Sequence, residues 1–487
     1  MSFASTKRFE SWSVLILTGL ALGAVLGIVM QRGRFCVTAM MRDIFMQRTW
    51  RTFVALLVVI SIHAVGIAAL TSTGVITPGD STFAPAAVVV GGFVFGLGII
   101  LAGGCASGTW FRSAEGLVGS WIALAMYALS AAAMKYGALA GFDGWMKSWD
   151  SGLTTIPELL GVSPWWFAIA LSVLTFFLVR HFRAQDAKRP KAARLGNQPV
   201  WKRPLSLYTA GALIGLLGVL AWPLSAATGR NSGLGITTPT ANTLQYSVTG
   251  DTGYIDWGVL LVLGLFLGAF LAAKATGEFR IRIPDATTAV RSVAGGLMMG
   301  VGATLAGGCT VGNGMVQTSL FSFQGWVALL FIAVGIWVGA KFWLKPAKAT
   351  KAPQTYTTDD SVGGAVALQD AVALNTAPGA PVGNGLAGMA AATGLITLQS
   401  EDKARHLGNG YFALDSLGAV CPFPLIEAKD VMADLEVGQH LVIDFDCTQG
   451  TETIPQWAVD DGHDVTDFRE TGDASWQITI KKGEPAG

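Results

Sequence analysis

A five-residue sequence occurs twice in this chain, each time at the end of an apolar run. Leu101-Ala102-Gly103-Gly104-Cys105 returns letter for letter as Leu305-Ala306-Gly307-Gly308-Cys309, 204 positions later. The same offset relates five flanking glycines to five others, namely Gly91, Gly92, Gly96, Gly98 and Gly108 to Gly295, Gly296, Gly300, Gly302 and Gly312. A glycine-broken apolar helix that occurs twice is typical of a duplicated membrane unit built around a transport site.

The rest of the first 345 residues is also rich in apolar segments. The 487-residue chain is 52% hydrophobic and only 13% charged, which is too apolar for a soluble protein. Segments of spanning length lie at about residues 12–30, 52–70, 85–101, 117–134, 165–179, 205–220, 257–273, 289–305 and 325–343. We therefore predict an all-α membrane transport domain over residues 1–345, with about nine spans and broken or re-entrant helices at the repeats.

Charge is distributed unevenly along the chain and predicts its orientation. Residues 1–345 carry a net charge of +13 and residues 346–487 carry −12. Residues 180–203 hold eight basic residues and one acid, whereas residues 71–84 hold no basic residue. The positive-inside rule then places the N-terminus outside and the C-terminus in the cytoplasm. With this topology the two Gly-Gly-Cys segments enter the inner membrane from opposite faces, as an inverted repeat.

The acidic tail has two parts. Residues 346–407 are rich in Ala, Gly, Thr and Pro and lack apolar periodicity, so we predict a flexible linker. Residues 408–487 alternate strand and helix patterns, which predicts a small α/β two-layer domain. The expected elements are strands at 411–414, 440–445, 463–469 and 476–481, with helices at 422–435 and 453–461.

The glycine pairs of the repeats, Gly103-Gly104 and Gly307-Gly308, suit an oxyanion-binding site. Tandem glycines break the helix, and the half-helix that follows can point unpaired N–H groups and its positive end into the membrane. Close helix packing is the alternative explanation of such glycines. The cysteine at the same place in both copies favours the binding site.

Three single cysteines, Cys36, Cys105 and Cys309, are the only ones in residues 1–345. They could line a route along which thiols contact a soft sulfur atom. They have no Cys-x-x-Cys spacing and no histidine partner, so we expect neither a metal site nor a cofactor. The four charged residues Arg112, Glu115, Lys274 and Glu278 fall near predicted span ends, where solvated or anchoring roles are expected.

The tail has its own candidate thiol, Cys421, directly before Pro422. Proline is favoured at the first position of a helix, so Cys421 would cap that helix and its thiolate would be stabilised by the helix dipole. Cys447 follows a predicted strand and is either a loop residue or a resolving partner for Cys421.

These residues carry two resemblances. Cys421-Pro422-Phe423-Pro424 resembles the Cys-Pro-x-Pro signature of TusA-like sulfur carriers, although Leu417 stands where many carriers have Arg. The Gly-Gly-Cys repeats and Arg34-Phe35-Cys36 resemble the YeeE/YedE family of membrane proteins, whose members include thiosulfate transporters. The chain thus resembles a thiosulfate transporter fused to its carrier.

The resemblance implies uptake of thiosulfate across the inner membrane, with Cys36, Cys105 and Cys309 as pathway cysteines. It implies that Cys421 handles sulfur, forming a persulfide with release of sulfite and passing sulfur to cytoplasmic acceptor proteins or small thiols. The resemblance thus implies foremost a transporter, with a tail that is a thiosulfate-cleaving sulfurtransferase or a sulfur carrier. Two alternatives are a membrane thiol–disulfide relay and a transporter of another sulfur or selenium species. No nucleic-acid partner is expected.

Overall fold

The computed structural model describes residues 3–46, 49–79, 83–190, 192–193, 195, 199, 202–343, 404–419 and 423–484, with only the backbone of residues 3–15. The first part is helical. Its α-helices are α1 Phe3–Arg32, α2 Val37–Met46, α3 Arg51–Ser72, α4 Pro85–Leu101, α5 Ala106–Ala114, α6 Val118–Tyr136, α7 Ala140–Lys147, α8 Ile156–Leu159, α9 Pro164–Lys188, α10 Leu207–Ala226, α11 Thr237–Thr249, α12 Trp257–Thr276, α13 Ala286–Leu305 and α14 Phe323–Trp343.

Eight helical units of the described chain are long and apolar enough to cross a membrane. They are Ile16–Met46, Arg51–Ser72, Pro85–Ala114, Val118–Tyr136, Pro164–Lys188, Leu207–Ala226, Trp257–Thr276 and Phe323–Trp343. Each corresponds to one of the nine predicted spans. The ninth, at residues 289–305, lies in α13, which forms a full helix but includes Thr287, Thr288 and Arg291 in its first turns. These polar residues explain why α13 is not among the eight.

The two repeat helices, α4 and α13, cross through reciprocal glycine contacts. A Cβ built on Gly91 would lie 2.7 Å from the carbonyl oxygen of Gly302, and one on Gly302 would lie 2.6 Å from that of Gly91. Gly98 and Gly295 form the equivalent pair, at 2.8 and 2.7 Å. Any side chain here would collide with backbone, so glycine is what lets the helices approach this closely. The order of the contacts shows that α4 and α13 run antiparallel.

The helices that follow the two Gly-Gly-Cys turns are also exchanged between the two halves of the membrane domain. Helix α6, which follows the first Gly-Gly-Cys, packs along α13, and α14, which follows the second, packs along α4. In each half of the membrane domain, the helix that follows the Gly-Gly-Cys turn therefore packs against the repeat helix of the other half. A separate close pair is formed by α1 and α12, where Gly23 lies against the carbonyl of Leu261 and Gly264 against that of Leu20.

The C-terminal domain is a five-stranded sheet with two helices. Its elements are β1 Arg405–Gly408, β2 Tyr411–Ser416, α15 Phe423–Asp434, β3 His440–Phe445, α16 Gly450–Asp460, β4 Asp464–Gly472 and β5 Ser475–Lys481. The strand order is β1-β2-β3-β5-β4, and only the β2–β3 pair, joined through α15, is parallel. Alternate residues of β3 are buried, because one face of the sheet carries the helices. The predicted two-layer α/β domain is confirmed.

Strand β1 was not predicted, and it starts before the predicted domain boundary at residue 408. Its sequence, Arg405-His406-Leu407-Gly408, is mostly exposed and polar, so it lacks the alternation that marks the inner strands. It is held by antiparallel pairing with β2 instead. Nearly all of the predicted linker, residues 346–403, lies outside the described residues.

Candidate functional site: three membrane thiols beneath the C-terminal domain

Each membrane cysteine lies at the start of a helical turn. The carbonyl oxygen of Cys36 accepts the N–H of Met40 at 3.1 Å, and that of Cys105 accepts the N–H of Thr109 at 2.8 Å. The carbonyl of Cys309 accepts the N–H of Asn313, also at 2.8 Å. The thiols are therefore fixed beside the positive ends of three helical segments, where N–H groups lack helical partners. All three cysteines are free and buried.

The fold brings the three cysteines together. The Cys36 and Cys105 thiols lie close enough to interact. A Cβ built on Gly108 would lie 3.5 Å from the Cys105 sulfur and 3.7 Å from the Cys36 sulfur, with no other described atom beyond its own helix within 4 Å. Cys309 interacts with Cys105 and contacts the hydroxyl of Thr237 on α11, to which Tyr127 donates at 2.8 Å. The two thiols thus meet at Gly108, where a Cβ would make ordinary van der Waals contacts with both sulfurs.

The glycine pairs form the turns that the sequence predicted. Gly103 and Gly307 have φ angles of +71° and +75°, in the left-handed region that favours glycine. The first turn leads into α5. The second leads into a π-helix, Gly312–Gln317, instead of the expected α-helix. Single π-turns are frequent at functional sites, and this one places Gly312 beside open space, with no atom from elsewhere in the described chain within 4 Å of a Cβ built on it.

Two polar side chains that the sequence analysis did not single out hold the second turn. Asn313 donates from Nδ2 to the carbonyl oxygens of Ala306 (2.9 Å) and Gly308 (2.8 Å). Gln324 donates to Oδ1 of Asn313 at 3.0 Å. In the first turn Arg112 takes the corresponding role and donates to the carbonyl oxygen of Gly103.

Three of the four charged residues near the span ends, Arg112, Glu115 and Glu278, are buried, which corrects the expectation that they are solvated or anchoring, whereas Lys274 is exposed. Glu115 is 2% exposed and Glu278 is 7% exposed. The amide of Gln31 donates to both carboxylates, at 3.2 and 2.5 Å, and Arg32 pairs with Glu278 at 3.3 Å. Burial, reinforced by the neighbouring Glu278, raises the pKa of Glu115 to about 7.

The C-terminal domain lies directly on this charged end of the membrane helices. Several arginines contact it, among them four at this end: Arg34 bonds to Thr451, Arg112 to Gln449 at 3.2 Å, Arg280 to Ser475, and Arg282 pairs with Asp446 at 3.6 Å. The backbone N–H of Ala474 also donates to the carbonyl of Gly277 at 3.1 Å. The basic first part and the acidic tail thus meet through specific ion pairs and hydrogen bonds.

Of the predicted tail residues, Cys421 and Pro422 lie outside the described residues. Helix α15 is described from Phe423, and Pro424 is buried in its first turn. Cys447 is 5% exposed in the loop between β3 and α16 and is engaged in a disulfide. The loop that leads toward Cys421 is fixed by Gly418, whose N–H donates to the Asp446 carboxylate at 3.0 Å.

No group of three or more His, Cys, Asp or Glu residues that could hold a metal ion occurs in the described part of the chain. His63, in α3, is buried and accepts a hydrogen bond from Trp222 at 3.2 Å. It links two helices, as a buried polar group of a membrane bundle should.

Comparison with known proteins agrees with this division. The family model described as "Sulphur transport" matches residues 32–338. This chain belongs to the sulphur-transport family. A second model, "Sulfurtransferase TusA", matches residues 413–482, so this member of the family carries a TusA domain at its C-terminus. The family assignment and the eight apolar helices identify a multi-pass membrane protein.

Individual relatives match the two parts separately. The thiosulfate transporter TsuA of Escherichia coli is 45% identical over 338 residues, which are 68% of this chain and 94% of that protein. TsuA of Spirochaeta thermophila is 32% identical over 340 residues, 67% of this chain and 98% of the relative. The putative sulfur carrier protein TsuB of Escherichia coli is 58% identical over 69 residues, 14% of this chain and 92% of the carrier. The chain therefore joins in one polypeptide two parts that are each similar to a separate protein.

Proposed function

We propose that this protein takes up thiosulfate across the cytoplasmic membrane through the pathway of Cys36, Cys105 and Cys309, and delivers it to its own C-terminal domain. The observation that carries the proposal is the meeting of Cys36 and Cys105 at Gly108, which has no side chain to separate their sulfurs. The names of the relatives matched by the membrane part support thiosulfate as cargo.

The chemistry of this site matches the two ends of thiosulfate. Its sulfonate end is an oxyanion, which suits the N–H groups at the starts of the helical turns after Cys36, Cys105 and Cys309. Its terminal sulfur is soft and accepts weak S–H hydrogen bonds from thiols. The glycine pairs Gly103-Gly104 and Gly307-Gly308 shape the turns that present these donors. Passage from one thiol to the next needs no covalent bond to form.

We place the N-terminus outside and the C-terminal domain in the cytoplasm. The basic segment at residues 180–203 supports this orientation through the positive-inside rule. Arg189, within that segment, pairs with Asp460 of the C-terminal domain at 3.8 Å, so the basic segment and the domain share one side. The antiparallel course of α4 and α13 is what an inverted repeat requires. A reporter fused after Lys345 should be active only inside the cell.

In the C-terminal domain, we assign thiosulfate cleavage to Cys421. Its thiolate would attack the terminal sulfur, forming a new S–S bond while the original S–S bond breaks and sulfite leaves with the electron pair. The product is a persulfide, and this exchange at the thiolate consumes no oxidant or reductant. Removing thiosulfate in this way would maintain the inward gradient, and cytoplasmic acceptor proteins or small thiols would then take the sulfur.

The test is uptake of radiolabelled thiosulfate by proteoliposomes that contain the full chain. Uptake should be saturable and should fall to the level of empty liposomes in Cys105→Ala. Absence of uptake by the unaltered protein would contradict the proposal. Competition with selenosulfate and sulfate would then show whether another sulfur or selenium species is preferred.

A thiol–disulfide relay is the second candidate, because Cys36 and Cys105 lie close enough to interact. It predicts a mixed disulfide between a membrane cysteine and Cys421 as the main trapped species. The transport proposal predicts thiosulfate-dependent persulfide on Cys421 instead, which mass spectrometry distinguishes from the mixed disulfide.

A further inference from the structure

A cavity lies between the membrane helices and the C-terminal domain, beside the thiol pathway. Arg112 and Arg282 line it from the membrane part, and Gly418, Asp446 and Thr448 line it from the C-terminal domain. Both domains are needed to form its wall. Glu115 and Cys447 are also among the residues that line this space, whose volume is about 20 Å³, and we refer to it as the exit chamber.

The guanidinium of Arg282 is buried in the exit chamber with an unused donor. Arg282 is 8% exposed, and its Nε has no hydrogen-bond partner in the described part of the chain. Its nearest anion is Oδ2 of Asp446, at 3.6 Å, which is an ion pair but too long for a hydrogen bond. A buried guanidinium donor without a partner costs free energy, so this one is available to a ligand.

Arg112 approaches the same chamber from the thiol pathway. It is 4% exposed, and it donates to the carbonyl of Gly103, in the turn before Cys105, and to Gln449 of the C-terminal domain. A guanidinium presents five donors in a plane, so Arg112 can hold these bonds and still offer N–H groups to a third group. It therefore connects the Cys105 turn directly with the chamber.

Asp446 acts as an anion supplied by the protein itself. Both oxygens of its carboxylate accept the N–H of Gly418, each at 3.0 Å, and the carboxylate faces Arg282. An anion that enters the chamber would meet the same two groups, the Arg282 guanidinium and the Gly418 N–H. Because the chamber of about 20 Å³ has room for little more than one water molecule, the entering anion would have to displace the Asp446 carboxylate and take its position.

We propose that the exit chamber is an oxyanion-binding site that receives thiosulfate as it leaves the thiol pathway, with Arg282 and Arg112 as its donors and Asp446 as an internal competitor. This site rests on the proposed function, since that function supplies the thiosulfate. It lies outside the three-thiol pathway, and both domains contribute to it.

The experiment measures binding of radiolabelled sulfate to the purified full chain at constant ionic strength. Sulfate is a divalent oxyanion without a terminal sulfur, so Cys421 cannot cleave it. Arg282→Gln should weaken binding by about tenfold or more, because hydrogen bonds to charged groups contribute ~1.5–3 kcal/mol each. Arg280→Gln is the matched control: it removes a contact with the C-terminal domain two residues away but leaves the chamber wall intact, and its affinity should stay within about twofold.

Asp446→Asn gives the opposite and more selective result. It keeps an oxygen for the Gly418 N–H but removes the competing charge, so sulfate should bind about three- to tenfold more tightly. A variant that had merely loosened the domains would not gain affinity. Unchanged or weaker binding in Asp446→Asn, or equal binding in Arg282→Gln and Arg280→Gln, would overturn the site.

If Arg282→Gln does not fold, Arg282→Lys preserves the charge without the Nε donor and should still bind sulfate more weakly than the unaltered chain. Thiosulfate uptake by the unaltered chain is measured in parallel. Uptake without this pattern of sulfate binding refutes the exit site alone, whereas absence of uptake refutes the proposed function.

Discussion

The side-chain amide of Gln324 donates to Oδ1 of Asn313 at 3.0 Å, and this fixes which way the Asn313 amide faces. Its Nδ2 then donates to the carbonyl oxygens of Gly308 and Ala306, directly before Cys309. The position of the Cys309 thiol therefore depends on the orientation of the side-chain amides of Asn313 and Gln324. An ionised aspartate at position 313 could not make the two hydrogen bonds to these carbonyl oxygens, because it has no donor.

Asn313→Asp should consequently destabilise the membrane domain and abolish uptake. The new carboxylate would face two carbonyl oxygens while buried, at a cost of about 2–4 kcal/mol. Asn242→Asp is the control, because Oδ1 of Asn242 accepts a hydrogen bond from Tyr136 at 2.5 Å and an aspartate oxygen can still accept it. The Tm values of Asn313→Asp, Asn242→Asp and the unaltered chain are compared by thermal unfolding in detergent. Equal losses of Tm would mean that burial of charge, and not the turn, is responsible.

Gly108→Val should block the pathway while leaving the fold intact. The added atoms would point between the Cys105 and Cys36 sulfurs, where a Cβ makes ordinary contacts of 3.5 and 3.7 Å. We expect thiosulfate uptake to fall by about tenfold or more and the Tm to change little, since glycine is itself a poor helix residue by ~1 kcal/mol. Gly141→Val, in α7 with no atom near its Cβ, should transport normally. Normal uptake in Gly108→Val would show that thiosulfate does not pass this point.

Substitution of the three membrane cysteines should reduce thiosulfate uptake to different extents. Cys105→Ala and Cys309→Ala should abolish or severely reduce uptake while the protein stays in the membrane, and Cys36→Ala should impair it. Cys309→Ser is the sharper variant, because it keeps size and a donor but loses the soft sulfur. We expect its uptake to fall well below that of the unaltered chain. Normal transport by every alanine variant would rule out a thiol pathway.

The tail thiol should be separable from transport. In the full chain, Cys421→Ala should lose thiosulfate-dependent persulfide, measured by mass spectrometry, while proteoliposomes still admit thiosulfate down its gradient. Net accumulation of sulfur in cells should fall unless another carrier replaces the domain. Complete loss of passive entry would show that Cys421 belongs to the membrane pathway itself.

The stability of the protein should fall as the pH rises from about 4.5 to about 7, in part because of Glu115. The raised pKa of this buried carboxyl, about 7 against an ordinary 4.5, means that the folded protein holds the proton more tightly than the unfolded chain. The stability associated with the protonated form is fully present below pH 4.5 and is lost through pH 7, a change of ~3 kcal/mol. The Tm of Glu115→Gln should decline less over this range than that of the unaltered chain. Glu436→Gln, on the exposed surface, should decline as the unaltered chain does.

Local sequence patterns were sufficient to predict much of the architecture. The duplicated Leu-Ala-Gly-Gly-Cys segments predicted two glycine turns with a cysteine at each. Left-handed backbone favours glycine whatever residues surround the turn, so the local sequence was sufficient. The apolar runs predicted about nine spans, and eight of them correspond to spanning units in the described part of the chain, since length and hydrophobicity are read directly from consecutive residues. In the tail, strand β3 at residues 440–445 agrees with its prediction at both ends because its alternation reflects one buried face.

Tertiary structure alone decided which residues surround the thiols. Helix α11 was missed because its polar sequence carries no apolar signal, yet it places Thr237 against Cys309. Gln31 meets Glu115 and Glu278 across 84 and 247 residues of chain, so no local pattern reveals that these acids are buried. The meeting of Arg282 with Asp446 likewise depends on how the two domains dock. Periodicity records which side of an element is apolar, but the partner of a buried charge is fixed only when distant segments pack together.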